Sequence, residues 1–144
     1  MKISSKTSYG FRFLLSLAVS DKNEYIKLGD IAKAEDISEK YLENIVAKIK
    51  PYGFIDVRRG AQGGYRLSRS AESIKLSEVF ELLEGELIDF ENADLTKEIS
   101  NNKLTINNLW TDLAQANRVF LESKTLGDLA ELYKAKNNSQ MYFI

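Results

Sequence analysis

The chain has 144 residues, with 44% hydrophobic and 28% charged content, enough for one domain with its own core or a small domain plus an appended element. It contains no Cys and no His, which excludes disulfides, thiolate zinc sites and cysteine-ligated iron–sulfur clusters and removes the commonest general base and the cysteine nucleophile. A net charge of −1 conceals an asymmetry: residues 1–69 carry 13 Lys and Arg against 8 Asp and Glu, whereas residues 70–144 carry 7 against 13, so the first half is the one suited to a polyanion.

Nothing pairs carboxylates as an acid–base site would, so no enzyme activity, no metal and no cofactor is expected. The longest apolar run is far short of a membrane span, and no basic-then-apolar segment opens the chain. A cytoplasmic protein without a membrane partner is expected.

Met1–Ser5 reads as a short arm containing Lys2. From Lys6 to about Val19, Tyr9, Phe13, Leu14, Leu17 and Ala18 fall at helical spacing, with Lys6, Thr7 and Ser8 near the exposed start of the helix. A helix start of this kind either contacts a phosphate through its free N–H groups or is simply solvated. A turn over Asp21–Glu24 follows, then a very short strand over Tyr25–Leu28. A second helix is predicted over Gly29–Glu35.

Ile37–Ile49 is the pivotal stretch. Ser38 is a good N-cap, and Ile37 with Leu42 can form a hydrophobic staple. Leu42, Ile45, Val46 and Ile49 recur at i, i+3, i+4 and i+7, while Glu39, Lys40, Glu43, Asn44 and Lys48 occupy the opposite, polar face. Two short helices joined by a tight turn, the second polar on one face, form the helix-turn-helix pattern in which the second helix enters a DNA major groove. Of its polar face, Lys40 and Lys48 are the candidate phosphate-facing residues.

Pro51-Tyr52-Gly53 ends that helix. Phe54–Arg58 and Tyr65–Ser68 alternate as strands around a flexible turn, Gly60-Ala61-Gln62-Gly63-Gly64. Arg58, Arg59 and Gly60 lead into the tip, and Arg66 and Arg69 lie on the return. A hairpin directly after a helix-turn-helix is a wing, and a basic tip suits a minor groove or its flanking phosphates. The glycines do not make a nucleotide-binding loop, because no Gly-Lys-Ser/Thr follows and the next segment is a strand.

A further helix is predicted over Leu76–Glu84, stopped by Gly85. An acidic, poorly periodic connector follows, ordered in part by Leu87, Phe90 and Leu95. From Thr105 a long helix carries Ile106, Leu109, Trp110, Leu113, Asn117 and Phe120 in a stripe of about 3.5-residue period. A homodimer seam is the economical use of such a stripe, with Asn117 fixing register. Thr125 then caps a final helix, with Asp128 completing a variant capping box. Lys134–Gln140 is polar, and the chain finishes Met141-Tyr142-Phe143-Ile144.

These readings combine into a mainly α protein with a small β-hairpin: a winged helix-turn-helix DNA-binding domain over 1–85, an acidic connector over 86–104, and a long dimerisation helix, final helix and tail over 105–144. The expected activity is that of a sequence-specific regulator binding double-stranded DNA. The competing reading is a winged-helix adaptor that docks a protein partner without specific DNA binding.

The segments Met1–Gly10, Ile37–Glu43, Arg58-Arg59-Gly60-Ala61-x-Gly63-Gly64-Tyr65-x-Leu67, Leu83-Glu84-Gly85, Leu109-Trp110-x-x-Leu113 and Thr125-Leu126-x-x-Leu129 together resemble the Rrf-two-type winged helix-turn-helix regulators over nearly the whole chain. The resemblance implies a homodimer reading a two-fold operator, with Ser38, Tyr41 and Glu43 in the recognition helix and Arg59 at the wing tip. Iron–sulfur members carry three cysteines after the helix that corresponds to Leu76–Glu84; Glu86–Lys103 has none, so sensing through a cysteine-ligated cluster is not expected. Pro51 is a second departure.

The lack of cysteine and the terminal Met-Tyr-Phe-Ile resemble the CymR branch, which represses cysteine-metabolism genes and works with cysteine synthase. On that resemblance, Phe143 and Ile144 either bind cysteine synthase or pack against the dimer itself.

Overall fold

A computed structural model describes residues 2–85 and 100–141. Helix α1 (Ser5–Ala18) starts behind Ser4, whose hydroxyl accepts from the Thr7 amide at 3.2 Å. Phe13, Leu14 and Leu17 turn inward. Thr7, expected near an exposed helix start, is instead completely buried. The expected strand over Tyr25–Leu28 shrinks to a single bridge at Ile26, because Leu28 already opens α2 (Leu28–Ala34).

Helix α3 (Glu39–Ile49) is the predicted amphipathic helix: Leu42, Ile45, Val46 and Ile49 are buried, and Ser38 accepts from the Tyr41 amide at 3.3 Å. Lys50–Tyr52 tightens into a 3₁₀ turn containing Pro51, and Gly53 reverses the chain with φ +75°.

Strands β1 (Ile55–Arg58) and β2 (Gly64–Leu67) pair antiparallel, with Ile55 opposite Leu67 and Arg58 opposite Gly64. Ile55 and Val57 share a face, yet only Ile55 is buried, because the hairpin runs past the core into solvent. After a 3₁₀ turn at Ala71–Ser73, α4 (Leu76–Leu83) ends where Gly85 adopts the left-handed conformation, φ +80°.

Helix α5 (Asn101–Glu122) begins a turn earlier than expected. Ser100 caps it by accepting from the Lys103 amide at 3.2 Å, a signal masked in the sequence by the polar, aperiodic Asn101-Asn102. Helix α6 (Leu126–Met141) opens with the reciprocal Thr125–Asp128 cap, the Thr125 amide donating to the Asp128 carboxylate at 2.9 Å and the Asp128 amide to the Thr125 hydroxyl at 3.2 Å. The polar Lys134–Gln140 stretch continues that helix. The acidic connector with Leu87, Phe90 and Leu95, and the tail residues Phe143 and Ile144, lie outside the described residues.

One core holds the buried faces of α1 to α4, Phe54 and Ile55 where β1 begins, and Leu126. Leu126 is stitched there by the backbone: its amide donates to the Ile74 carbonyl at 2.8 Å, and the Leu76 amide donates to Lys124 at 2.9 Å. The start of α6 is thus anchored in the winged domain, although the sequence places it in a separate C-terminal unit. Among the described residues, no helix is long and apolar enough to cross a membrane.

Candidate nucleic-acid interface

The turn between α2 and α3 sets the angle at which α3 is presented. It is a Schellman closure: the Ile37 amide donates to the Ala32 carbonyl at 2.8 Å and the Asp36 amide to Lys33 at 3.3 Å. Such a turn needs one left-handed residue, and here it is Asp36, φ +53°, rather than the usual glycine.

Arg12 locks the turn from α1. Its Nε donates to the Glu35 carboxylate at 2.8 Å and its Nη2 to the Glu35 carbonyl. Arg12 also lies over the Tyr9 ring, 5.2 Å from its centroid, and that ring meets Tyr41 of α3 edge-on at 5.8 Å. A continuous path of contacts therefore runs Glu35–Arg12–Tyr9–Tyr41, orienting the outer face of α3.

On that face Ser38, Lys40, Tyr41, Glu43, Asn44 and Lys48 are all exposed. The sequence reading placed Ser38, Lys40, Tyr41, Glu43 and Lys48 there, and the helix presents them to solvent together. Tyr41 keeps 39% of its surface accessible while its ring is held by Tyr9.

In the wing, Arg58, Arg59 and Gly60 are exposed. The tip is not a loose glycine turn. Gly60 has φ +102°, the Gly63 amide donates to the Gly60 carbonyl at 2.9 Å, and a Cβ on Gly63 would lie 2.2 Å from the Arg58 carbonyl oxygen. The return strand's arginines are held within the chain: Arg66 pairs with Asp56 at 3.5 Å, and Arg69 pairs with Glu78 at 3.1 Å while lying over Phe54.

Lys2 is exposed and Lys6 half-buried at the start of α1. The adjoining helix end already holds an anion. The Glu84 carboxylate accepts from the Ser4 amide at 3.1 Å, the Ser4 hydroxyl at 2.8 Å and the Thr7 hydroxyl. The Thr7 hydroxyl, then that of Ser4, holds this carboxyl below the ordinary carboxylate range. A phosphate approaching the N–H groups of α1 would meet that negative charge.

Helix α5 has no buried residue. Its half-buried positions are Asn107, Ala114, Asn117 and Leu121, spaced three, four and seven apart, and they mark the side turned toward its own chain. Ile106, Leu109, Trp110, Leu113 and Phe120 of the expected seam are exposed, joined by Leu104 and Val119. Asn117 thus sits at the inner edge of the stripe rather than within its exposed row.

The profile of the Rrf2 family, described as "Iron-dependent Transcriptional regulator", matches residues 3–132. The chain belongs to the Rrf2 family of transcriptional regulators. It is 35% identical to the HTH-type transcriptional regulator IscR of Cereibacter sphaeroides over 134 residues, covering 90% of this chain and 86% of IscR. It is 30% identical to the HTH-type transcriptional regulator CymR of Bacillus subtilis over 144 residues, the full length of both. The solved structure of CymR, the global cysteine regulator of B. subtilis, superposes with a TM-score of 0.78 at 30% identity over 92% of this chain and 98% of CymR. The winged helix-turn-helix fold and the DNA-binding regulator class are thereby established for this Rrf2 protein.

An iron–sulfur cluster does not fit the donor set of this Rrf2 chain, since thiolate ligands are required and the sequence contains no cysteine. Among the described residues no three acidic side chains gather into a metal-holding group either.

Arg12, Glu84 and Tyr9 escaped the sequence reading as site-shaping residues. Arg12 left one trace, a cation inside the apolar run Phe11–Leu15. Glu84 left none beyond its place in the Leu83-Glu84-Gly85 motif, because its partners lie 77 and 80 residues away.

Proposed function

We propose that this protein is a homodimeric repressor in which two winged domains read a two-fold DNA operator without the help of an iron–sulfur cluster. The observation that carries the dimer is the row of exposed apolar side chains on α5, from Leu104 to Phe120. Residues of this size left in water along a 22-residue helix, about 33 Å long at 1.5 Å per residue, call for a matching surface. A second copy of the same helix supplies one by symmetry.

In this reading Ser38, Tyr41 and Glu43 meet base edges, Lys40, Lys48 and Arg58 meet phosphates, and Arg59 at the wing tip enters the minor groove between its flanking phosphates. Glu43 accepts a hydrogen bond from a cytosine amino group and is repelled where no donor is offered, so it acts as a selector. Full-length similarity to CymR supports target genes of cysteine or sulfur metabolism.

Sequencing genomic fragments retained by the purified protein tests the whole reading. Retained fragments should share a two-fold motif upstream of sulfur-metabolism genes. Arg59→Ala should weaken binding to the selected duplex and flatten its salt dependence by about one phosphate contact, ~0.9 in the log–log slope. Glu43→Ala should relax sequence preference more than affinity. Retention of fragments with no common motif would leave the adaptor reading in its place.

A further inference from the structure

A segment outside the hairpin packs against the wing. The Ile26 amide donates to the Tyr65 carbonyl and the Tyr65 amide to the Ile26 carbonyl, both at 2.8 Å, so the segment around Tyr25 runs beside β2 as a third strand one bridge long. This closeness depends on Gly64. A Cβ there would lie 2.5 Å from the Ile26 carbonyl oxygen and 2.6 Å from its carbon, both rigid backbone atoms.

Cross-strand register brings Asp56 opposite Arg66 and Arg58 opposite Gly64, one face of the hairpin. The Tyr25 ring takes up two guanidinium groups from that face, Arg66 with its Cζ 4.6 Å from the ring centroid and Arg58 at 5.4 Å.

The two arginines are held differently. Arg66 also pairs with Asp56, which offsets its charge. For Arg58, no carboxylate stands within ion-pair reach among the described residues, and the side chain is exposed where β1 runs out to the tip. A carboxylate partner would have to be exchanged for a phosphate on binding. An aromatic face orders the guanidinium without neutralising it and leaves its N–H edge free to donate.

We propose that Tyr25 is a positioning residue for DNA binding, holding the Arg58 guanidinium ordered at the root of the wing for a backbone phosphate. The inference rests on the reading of the wing as a DNA-contacting element. Ordering a long side chain before binding removes that entropy cost from the binding step, a gain of about three- to tenfold in affinity.

The test uses the full-length protein and a duplex that it selects from a random pool, titrated at several salt concentrations. Tyr25→Phe, which keeps the ring, should bind like the parent. Tyr25→Leu and Tyr25→Gln should each lose about three- to tenfold, and neither should lose anything further in an Arg58→Ala background. In the unbound parent protein, the Arg58 Nε–H resonance should show an upfield ring-current shift that Tyr25→Phe retains, a readout that does not depend on either ring-less variant folding.

Equal losses for the Phe and Leu variants, losses that persist without Arg58, or an unshifted Arg58 resonance would overturn the role of Tyr25. If Arg58→Ala weakens binding while the ring-less variants do not, only the role of Tyr25 falls. If Arg58→Ala itself has no effect, the wing reading falls with it.

Discussion

Arg12 and Glu35 join the first helix to the helix-turn-helix: one guanidinium donates to both the side-chain carboxylate and the main-chain carbonyl of the same residue. Two donors in a fixed fork specify both position and angle, which a lysine cannot do. Both side chains are about a third exposed, so the charge component is screened and the contact contributes about 1 kcal/mol. Arg12→Lys keeps the charge and loses the fork. We expect a drop of ~1 kcal/mol in urea-unfolding stability, with sequence discrimination falling more than non-specific affinity. A variant unchanged in both measurements would mean that the fork does not orient α3.

Asp36 stands in the left-handed position of the same turn, where a Cβ is disfavoured. Asp36→Gly relieves that strain without touching the Ile37–Ala32 and Asp36–Lys33 backbone bonds. Melting should rise, by about 0.5–1 kcal/mol of added stability, and a decrease would show that the aspartate side chain contributes more than its backbone conformation costs.

Glu84 holds the start of α1 through Ser4 and the buried Thr7. Its folded-state pKa is depressed, so the carboxylate's contribution is fully present above the ordinary carboxylate range and is lost as the pH falls through the depressed value. Glu84→Gln should be less stable than the parent at neutral pH, and the gap should narrow and close on acidification. A pH-independent gap would contradict a charge-based latch. Thr7→Val, which removes from a fully buried position one of the donors to the half-exposed Glu84 carboxylate, should cost about 1 kcal/mol.

Leu109 and Leu113 are exposed on α5, away from the winged core. Glutamate at both positions should leave the circular-dichroism spectrum of the winged domain intact while light scattering reports a monomer. Separating two linked half-site contacts should cut operator affinity by about a hundredfold or more. A double variant that stays dimeric would place the seam elsewhere.

Much of the architecture was legible from residue order alone, because the physics that decides it is local. Ser38 and the Thr125–Asp128 pair announce helix starts through hydrogen bonds that span three residues. Leu42, Ile45, Val46 and Ile49 announce a buried face by their period. The wing is readable from strand alternation around glycines, and its two strands pair as that alternation requires.

What only the tertiary structure decided involves partners far apart in the chain. No period or spacing relates Glu84 to Ser4, Arg12 to Glu35, or Tyr25 to Arg58 and Arg66, so their roles emerge only when packing brings them within reach. The same holds for α5: its sequence carries an apolar stripe, but which edge turns inward was settled by where Leu126 and the Ile74 and Leu76 backbone pin the helix that follows it. Local hydrogen bonding and periodicity determine which elements form; how those elements are set against one another depends on a few long-range polar and aromatic contacts, whose geometry is decided by the shared core.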